Sequence, residues 1–193
     1  MLGDEFSSVL LGAQAGAEWA WTRLYQDLSP QLLGYLRSRG GNEPEDLLGD
    51  LWLQVARNIA GFSGDERDFR AWIFTVAYHR LVDERRYRGR RPSLPMAEVP
   101  VDAVTPEYAE SHALESIAAE EIKHLLEQLT QQQRDVLTLR ILAGMTIPEI
   151  SKAMGKKVGA VKQLQRRAVR ALVRLSEEEG IPLEALRSVT RVA

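Results

Sequence analysis

Hydrophobic residues recur at steps of three and four positions along almost the whole chain, a spacing that is typical of amphipathic helices. Strand-like alternation is found nowhere over a useful length. The first stripe ends at Ser29 and Pro30, which we expect to cap or kink its continuation. The stripes are Trp21, Leu24, Tyr25 and Leu28; Leu48, Leu51, Trp52, Val55 and Ile59; Phe69, Trp72, Ile73, Val76 and Ala77; and Leu114, Ile117, Ala118, Ile122, Leu125 and Leu129. The pattern predicts an all-α protein.

The third stripe is apolar on a second side as well, through Phe74, Tyr78 and Leu81, so we expect its helix to be central. Residues 91–106 contain four prolines and little periodicity, which indicates a linker. We therefore predict two small helical domains, at residues 10–91 and 108–175, joined by an acidic linker over 92–107. Residues 176–193 extend past the second domain, and the pattern assigns them no role.

Capping signals divide the second domain into short helices. Thr130 and Gln133 form a capping box that opens a helix predicted to run to Ala143, with Gly144 ending it. A second box, Thr146 with Glu149, opens another helix, which Gly155 ends. A further helix starts near residue 158, with Val161, Leu164, Ala168, Leu172 and Leu175 facing inward and Lys162, Gln163, Arg166, Arg167 and Arg170 facing outward. This helix-turn-helix with a basic second helix predicts binding in the DNA major groove.

Charge alternates in blocks that the net charge of -2 conceals. Eight arginines oppose three acids over residues 67–91, and ten basic residues oppose two acids over 134–174. Six acids oppose one arginine over 42–66, and 92–121 contain seven acids without a lysine or arginine. Basic blocks of this size are expected of a protein that binds the phosphate backbone of nucleic acid.

Enzyme and metal chemistry find little support in the sequence. The chain has no cysteine, His79, His112 and His124 lack metal-binding spacing, and no glycine-rich phosphate loop follows a strand. We expect no metal, no cofactor and no enzymatic activity.

The N-terminus lacks a basic segment before an apolar run, and the longest uncharged apolar-rich run, residues 71–78, is too short to span a bilayer. We expect a cytoplasmic chain without a signal peptide or membrane insertion.

Two sets of residues carry a family resemblance. The C-terminal part resembles region 4 of sigma-70 family transcription initiation factors, and the N-terminal part resembles region 2 of their compact extracytoplasmic-function group. The C-terminal matches are Arg134, Asp135, Val136, Leu137, Leu139, Arg140, Gly144, Met145, Thr146, Glu149, Ile150, Gly155, Val161 and Lys162. The N-terminal matches are Glu45, Asp46, Leu47, Asp50, Phe62, Gly64, Asp65, Phe69, Arg70, Ala71, Trp72, Ile73, Phe74, Val76, Ala77, Leu81, Val82, Asp83, Arg85 and Arg86.

The resemblance implies an alternative sigma factor, which binds core RNA polymerase and directs it to promoters. Region 2 would capture melted DNA of the minus-10 element through Phe62, Ser63, Gly64, Asp65, His79, Arg80, Asp83 and Arg86. Aromatic side chains interleaved with arginines suit this task, because bases stack on flat rings and phosphates attract cations. His79 stands where asparagine is common in the family, so the captured base is not assigned.

Region 4 would recognise the duplex minus-35 element. The resemblance implies base or groove contacts from Lys162, Gln163, Arg166, Arg167 and Arg170, and phosphate contacts from Arg140 and Lys157. Ala160 stands where threonine is frequent, which removes a helix cap, and Leu164 and Gln165 reverse the usual polar and apolar order. We therefore expect a slightly rotated DNA-facing surface, and the minus-35 sequence is not assigned.

Protein partners are implied by the same resemblance. The polymerase clamp coiled coil would bind a surface made of Asp46, Leu47, Asp50, Leu51 and Gln54, and the polymerase flap is the second expected contact. An anti-sigma factor that covers regions 2 and 4 is a further expected partner. The alternative is a LuxR-like regulator, which has a similar helix-turn-helix but binds upstream DNA without acting as a sigma factor. That alternative leaves residues 45–91 without an explanation.

Overall fold

The structure, a computed structural model, describes residues 2–39, 43–90 and 124–181, and every regular element in these ranges is helical. Seven α-helices lie wholly within these ranges: α1 (Phe6–Gln14), α2 (Glu18–Ser38), α3 (Pro44–Asn58), α4 (Glu66–Arg90), α5 (Gln131–Ile141), α6 (Ile147–Met154) and α7 (Val158–Glu179). Residues 124–127 are α-helical as well. Short 3-10 helices lie at Gly3–Glu5 and Ile59–Gly61. The all-α fold predicted from the sequence is confirmed. The predicted linker and the segment after residue 181 lie outside the described residues.

Helices α1 to α4 form an N-terminal unit with α4 at its centre. Phe69, Ile73, Phe74, Ala77 and Leu81 of α4 are all essentially inaccessible to solvent. The central position expected from the two apolar sides of this helix is confirmed.

Helix α2 continues through Pro30, so the predicted cap at Ser29 and Pro30 is wrong, while the alternative of a kink there stays a prediction. Tertiary contacts outweigh the local cost of the proline here. The Ser29 hydroxyl is buried and accepts a hydrogen bond of 2.9 Å from the indole Nε1 of Trp52.

A C-terminal unit consists of residues 124–181. Its own core contains Leu125, Leu129, Leu137, Leu172 and Leu175, which come from the helical turn before α5, from α5 and from α7. The predicted box that opens α5 is present, since the Thr130 N–H donates to Gln133 Oε1 at 3.0 Å. Helix α5 ends at Ile141, two residues before the predicted end, and Gly144 has a left-handed φ of 65° in the turn that follows.

The two units share a continuous apolar core. Side chains of the C-terminal unit, including Val136, Leu139, Met145 and Ile150, belong to the same cluster of buried residues as the core of the N-terminal unit. No helix in the described part of the chain is both long and apolar enough to cross a bilayer. The described residues also contain no group of three or more histidine, aspartate or glutamate side chains arranged to bind a metal.

Candidate nucleic-acid interface

Reciprocal hydrogen bonds fix the first helix of the helix-turn-helix. The Glu149 carboxylate accepts from the Thr146 N–H, and the Glu149 N–H donates to the Thr146 hydroxyl at 3.4 Å. Partial burial opposes ionisation of Glu149, but the hydrogen bonds from Thr146 and the nearby guanidinium of Arg67 hold the pKa of Glu149 below its usual range. Gly155 ends the helix with a left-handed φ of 62°. The predicted capping box and the predicted glycine turn are confirmed.

Helix α7 starts at Val158, as predicted, and presents a polar face to solvent. All five outward-facing residues are exposed: Lys162, Gln163, Arg166, Arg167 and Arg170. Arg167 Nη2 donates to Gln163 Oε1 at 3.4 Å, so these two side chains lie together on one face. They border an open groove with Gln132, Lys156, Gly159 and Ala160. This surface combines cations for phosphates with an amide that can contact a base.

The reversed order of Leu164 and Gln165 has a visible effect on α7. Gln165 is buried, with 7% of its surface accessible, whereas Leu164 is only partly buried. The N-cap residue is Lys157, whose side chain makes no capping hydrogen bond to the described residues, and Ala160 is the third residue inside the helix, so the expected loss of a cap at Ala160 is corrected. Lys157 is exposed beside the basic face, where a phosphate contact is geometrically open to it.

Arg140 has a different position from the one expected of a phosphate contact. Its guanidinium is partly buried, and Nη1 donates to the Met145 carbonyl at 2.7 Å across the turn between α5 and α6. Burial also covers Nε, which has no hydrogen-bond partner among the described residues. The assignment of Arg140 to phosphate is therefore corrected: this side chain stabilises the turn that orients α6.

Several candidate minus-10 residues meet at a groove on the N-terminal unit. This His79 groove is lined by Gln54, Asn58, Gly61, Phe62, Ser63, Trp72, Thr75, Val76 and His79. The rings of Phe62 and Trp72 stack with centroids 5.3 Å apart. Trp72 is only partly buried, although its position in the apolar stripe of α4 predicts a place in the core. The groove offers an aromatic wall and a polar imidazole, which together suit an unstacked base.

Gly64 and Asp65 are exposed in the loop before α4 and do not line the His79 groove, and their assignment to base capture stays a prediction. Asp65 caps α4, because its Oδ1 accepts from the Asp68 N–H at 2.8 Å while Asp68 Oδ2 accepts from the Asp65 N–H at 3.3 Å. A Cβ on Gly64 would lie 2.8 Å from the Cβ of Asp68, so the loop requires glycine. Both residues shape the start of α4 and thereby hold Phe62 and Ser63 in position.

The remaining minus-10 candidates follow His79 along α4. Asp83 and Arg86 are exposed and pair with each other at 3.6 Å. Arg80 faces α3 instead, where its Nε donates to Gln54 Oε1 at 2.8 Å and its Nη1 lies 3.6 Å from Asp50 Oδ2. Arg80 thus links the candidate DNA surface to the candidate polymerase surface.

The candidate polymerase surface on α3 needs one correction. Asp46 and Asp50 are exposed, and Leu47 and Gln54 are partly buried. Leu51, however, is completely buried in the core and cannot contact a partner. The exposed leucine of this helix is Leu53, with 57% of its surface accessible, which the sequence reasoning overlooked.

The sequence reasoning also overlooked a buried ion pair between the two units. Arg39 at the end of α2 donates to the carboxylate of Asp135 on α5, and their accessible fractions are only 2% and 3%. Arg85 Nη1 lies 3.9 Å from the same carboxylate. Burial raises the pKa of Asp135 despite these cations, and burial together with Asp135 raises the pKa of the adjacent Tyr35 hydroxyl. The partners are 96 positions apart, so no local pattern indicates the pair.

Comparison with known families identifies both units. The family description "Sigma-70 region 2" matches residues 24–91, and "Sigma-70, region 4" matches residues 119–172. The extracytoplasmic-function RNA polymerase sigma factor ShbA of Streptomyces griseus is 33% identical over 168 residues, which cover 80% of this chain and 86% of ShbA. The chain belongs to the extracytoplasmic-function sigma factors. It is an alternative sigma factor, and the LuxR-like alternative is not favoured.

Two further relatives agree with this family. The sigma factor is 35% identical to BldN of Streptomyces coelicolor over 171 residues, which cover 87% of this chain but 64% of BldN. It is 27% identical to SigD of Mycobacterium tuberculosis over 178 residues, or 89% of this chain and 84% of SigD.

Solved structures match the fold at lower identity. CnrH, solved with the cytosolic domain of CnrY, has a TM-score of 0.62 at 22% identity, over 91% of this chain and 99% of CnrH. The sigma factor RpoE of Bartonella quintana, solved with the anti-sigma factor NepR, has a TM-score of 0.61 at 23% identity, over 80% and 97% of the two chains. These two similarities show that the chain has the same fold as CnrH and RpoE.

Proposed function

We propose that this sigma factor binds core RNA polymerase, reads the minus-35 element with α7 and captures melted minus-10 DNA in the His79 groove. Region 2 is assigned to residues 10–91, the linker to 92–107 and region 4 to 108–175. The observation that carries the proposal is the exposure of all five candidate minus-35 residues on the helix that follows the Gly155 turn. A second helix placed in this way is the element that enters the major groove in helix-turn-helix proteins.

Base capture in the His79 groove is supported by the neighbouring aromatic stack. A base leaving the duplex loses stacking energy, and the faces of Phe62 and Trp72 can replace part of it. His79 presents an exposed imidazole to the same groove, which can donate or accept a hydrogen bond. Asp83 and Arg86 are placed one and two helical turns farther along α4, where Arg86 can contact the backbone of the captured strand.

Polymerase binding is assigned to the exposed side of α3. Asp46 and Asp50 supply charge and Leu53 supplies exposed apolar surface, a combination suited to a basic coiled coil with apolar positions. Leu47 and Gln54 border this patch. The ion pair between Asp50 and Arg80 means that polymerase contact and DNA contact involve neighbouring side chains.

The wider roles follow from membership in the family. We assign the polymerase flap as the partner of region 4 and an anti-sigma factor as a regulatory partner, which the complex of RpoE with NepR supports. The protein acts in the cytoplasm, where polymerase and DNA are found. The catalytic step of RNA synthesis belongs to the polymerase, and the sigma factor itself is not an enzyme.

Reconstituted transcription tests this proposal. Core polymerase with the full chain should start transcription at promoters that core polymerase alone leaves silent, and mapping of the start sites should give both promoter elements. His79→Ala should retain binding to the minus-35 duplex but reduce permanganate reactivity of thymines in the melted region. Arg174→Ala, which changes an exposed residue paired with Glu178 on α7, is the matched control and should initiate normally. Absence of initiation by the unmodified chain on all templates would reject the proposal.

A further inference from the structure

The N-terminal segment, residues 2–14, precedes the residues 24–91 that match region 2 and belongs to none of the proposed contact sets. It nevertheless contacts the loop that forms one wall of the His79 groove. Four residues of its helix α1 are buried: Phe6, Val9, Leu10 and Ala13. Gln14 lies one turn after Leu10 and is partly buried on the same side of the helix. An amide on a mostly apolar inward face needs hydrogen-bond partners within the protein.

The Gln14 amide bonds twice to the capture loop, residues 59–66. Its Nε2 donates to the Ile59 carbonyl at 3.0 Å and to the Phe62 carbonyl at 2.8 Å. Ile59 begins the 3-10 helix after α3, and Phe62 follows its last residue with an extended backbone, φ -78° and ψ 136°. Gln14 therefore fixes both ends of this turn, and with them the direction in which the chain continues to Ser63. Both Phe62 and Ser63 line the His79 groove.

Aromatic rings form a second connection between α1 and the groove. Phe6 contacts Phe69 with ring centroids 5.7 Å apart, and Phe69 contacts Phe62 edge-to-face at 5.2 Å. Phe69 also lies 5.5 Å from Trp72, so one buried ring supports both members of the Phe62–Trp72 stack. The wall on which a base would stack is thus held in part by a side chain of α1.

The N-terminal segment is itself anchored on both sides. The Glu66 carboxylate, at the other end of the capture loop, accepts from the Leu2 N–H at 2.6 Å and from the Gly3 N–H at 3.0 Å. Helix α1 also approaches α2 closely, because a Cβ on Gly12 would lie only 2.8 Å from Cζ2 of Trp19. The segment therefore presents Gln14 to the loop from a fixed position.

The capture loop has little packing of its own at its centre, where Gly61, Ser63 and Gly64 are small and exposed. Its order therefore depends on contacts at its ends and on the ring of Phe62. A loop that already has its binding conformation captures a ligand more tightly, because its conformational entropy is lost during folding and not during binding. The two hydrogen bonds from Gln14 act at the groove-lining end of the loop, where this order matters for a base.

We propose that Gln14 is a positioning residue for base capture, which holds the capture loop in the conformation that receives a base of the melted minus-10 strand. Gln14 does not touch DNA and acts through the positions of Phe62 and Ser63. The inference rests on the proposed role of the His79 groove, whereas the order of the loop can be measured without DNA. It extends the base-capture machinery to a helix that precedes the residues matching region 2.

Fluorine NMR of the full chain tests the order of the loop. Because the chain has no native cysteine, a trifluoromethyl label on Ser63→Cys reports on the loop alone and should give one narrow resonance. Gln14→Leu removes both donors and should broaden this resonance or add others. Ser8→Ala, which removes an exposed hydrogen bond to the Glu5 carbonyl, is the matched control and should leave it unchanged. Several resonances with Gln14 present, or an unchanged spectrum in Gln14→Leu, would overturn the proposal.

A double-mutant cycle with abasic templates separates positioning from general damage to the fold. An abasic site is placed in turn at each non-template position of the minus-10 element, on a promoter where the unmodified holoenzyme initiates. The most costly position marks the captured base. On the intact template, Gln14→Leu should slow open-complex formation about tenfold without changing the affinity of the closed complex. On the abasic template both chains should open at nearly the same rate, because no base remains to be received. Equal losses on both templates would mean that Gln14 only supports the fold.

Two further variants identify the cause of any failure. Gln14→Glu preserves the shape of the side chain, but its ionised carboxylate cannot donate, so it should be as slow as Gln14→Leu. Normal opening by Gln14→Glu would refute the role of the amide. His79→Ala should show the same dependence on the abasic site. If only His79→Ala shows it, base capture stands and the positioning role of Gln14 is refuted. If neither variant shows it, the proposed function of the His79 groove fails, and the role of Gln14 fails with it.

Discussion

Arg166 and Arg140 are two arginines of region 4 for which the structure predicts opposite consequences of truncation. Arg166 is exposed on α7 and has no hydrogen bond or ion pair with the described residues. Arg140 is partly buried and donates to the Met145 carbonyl. We expect Arg166→Ala to change the free energy of unfolding by less than about 0.5 kcal/mol. Arg140→Ala should lower it by about 1.5–3 kcal/mol, the usual contribution of a hydrogen bond from a charged group.

DNA affinity should respond in the reverse order. A bidentate contact from Arg166 to a guanine would contribute about 1–3 kcal/mol, so that Arg166→Ala weakens binding about 5- to 150-fold. If Arg166 contacts a phosphate instead, the loss should be similar for every sequence, and the slope of log affinity against log salt should fall by about 0.9. Arg140→Ala should weaken binding only as far as it unfolds region 4.

Two measurements on the full chain distinguish these outcomes. Thermal unfolding followed by circular dichroism gives the stability, and fluorescence anisotropy with a labelled minus-35 duplex between about 50 and 200 mM salt gives the affinity and its slope. Arg174→Ala is the control for loss of a cation from α7. The reasoning fails if Arg166→Ala binds as tightly as the unmodified chain, or if Arg140→Ala loses DNA while its stability is unchanged.

Three further predictions concern α3 and the start of α6. Asp50→Arg should abolish capture of core polymerase in a pull-down while the chain remains folded, and retained capture would remove α3 from the interface. Leu51→Ala should lower the free energy of unfolding by about 2–5 kcal/mol in urea titrations, because it leaves a cavity in a core that solvent does not reach. A smaller loss would contradict the complete burial of Leu51. Because folding lowers the pKa of Glu149 from its ordinary value of 4.5, its ionised form stabilises α6 above a pH of about 4.5, and that contribution is lost as the pH falls through the folded pKa. The stability difference from Glu149→Gln, about 0.3–1 kcal/mol at pH near 7, should therefore disappear in acid; a constant difference would contradict this assignment.

The helix-turn-helix could be predicted from the sequence because its determinants are local. A capping box needs residues three positions apart, and the turn needs one glycine with a left-handed φ, so both can be read over ten residues. The central position of α4 was predictable for a similar reason, since its apolar residues repeat on two sides.

The errors arose where a residue's position depends on distant contacts. Leu51 belongs to the apolar stripe of α3, and this periodicity indicates a buried position. The surface assignment rested on its proximity to Asp50 in the sequence, which is the weaker of the two signals. The position of Arg140 depends on a carbonyl that becomes available only when the turn has formed. Arg39 and Asp135 meet across 96 positions, and nothing near either residue indicates its partner.

The position of the aromatic residues gives this sigma factor a built-in optical reporter. All four tryptophans precede residue 73, so none belongs to region 4. Trp21 and Trp52 pack together in the N-terminal unit, whereas Trp72 stacks on Phe62 at the edge of the His79 groove. Tryptophan emission therefore comes from region 2 alone, and stacking of a base against Trp72 should quench part of it. Strand capture can then be followed in real time without attaching a dye.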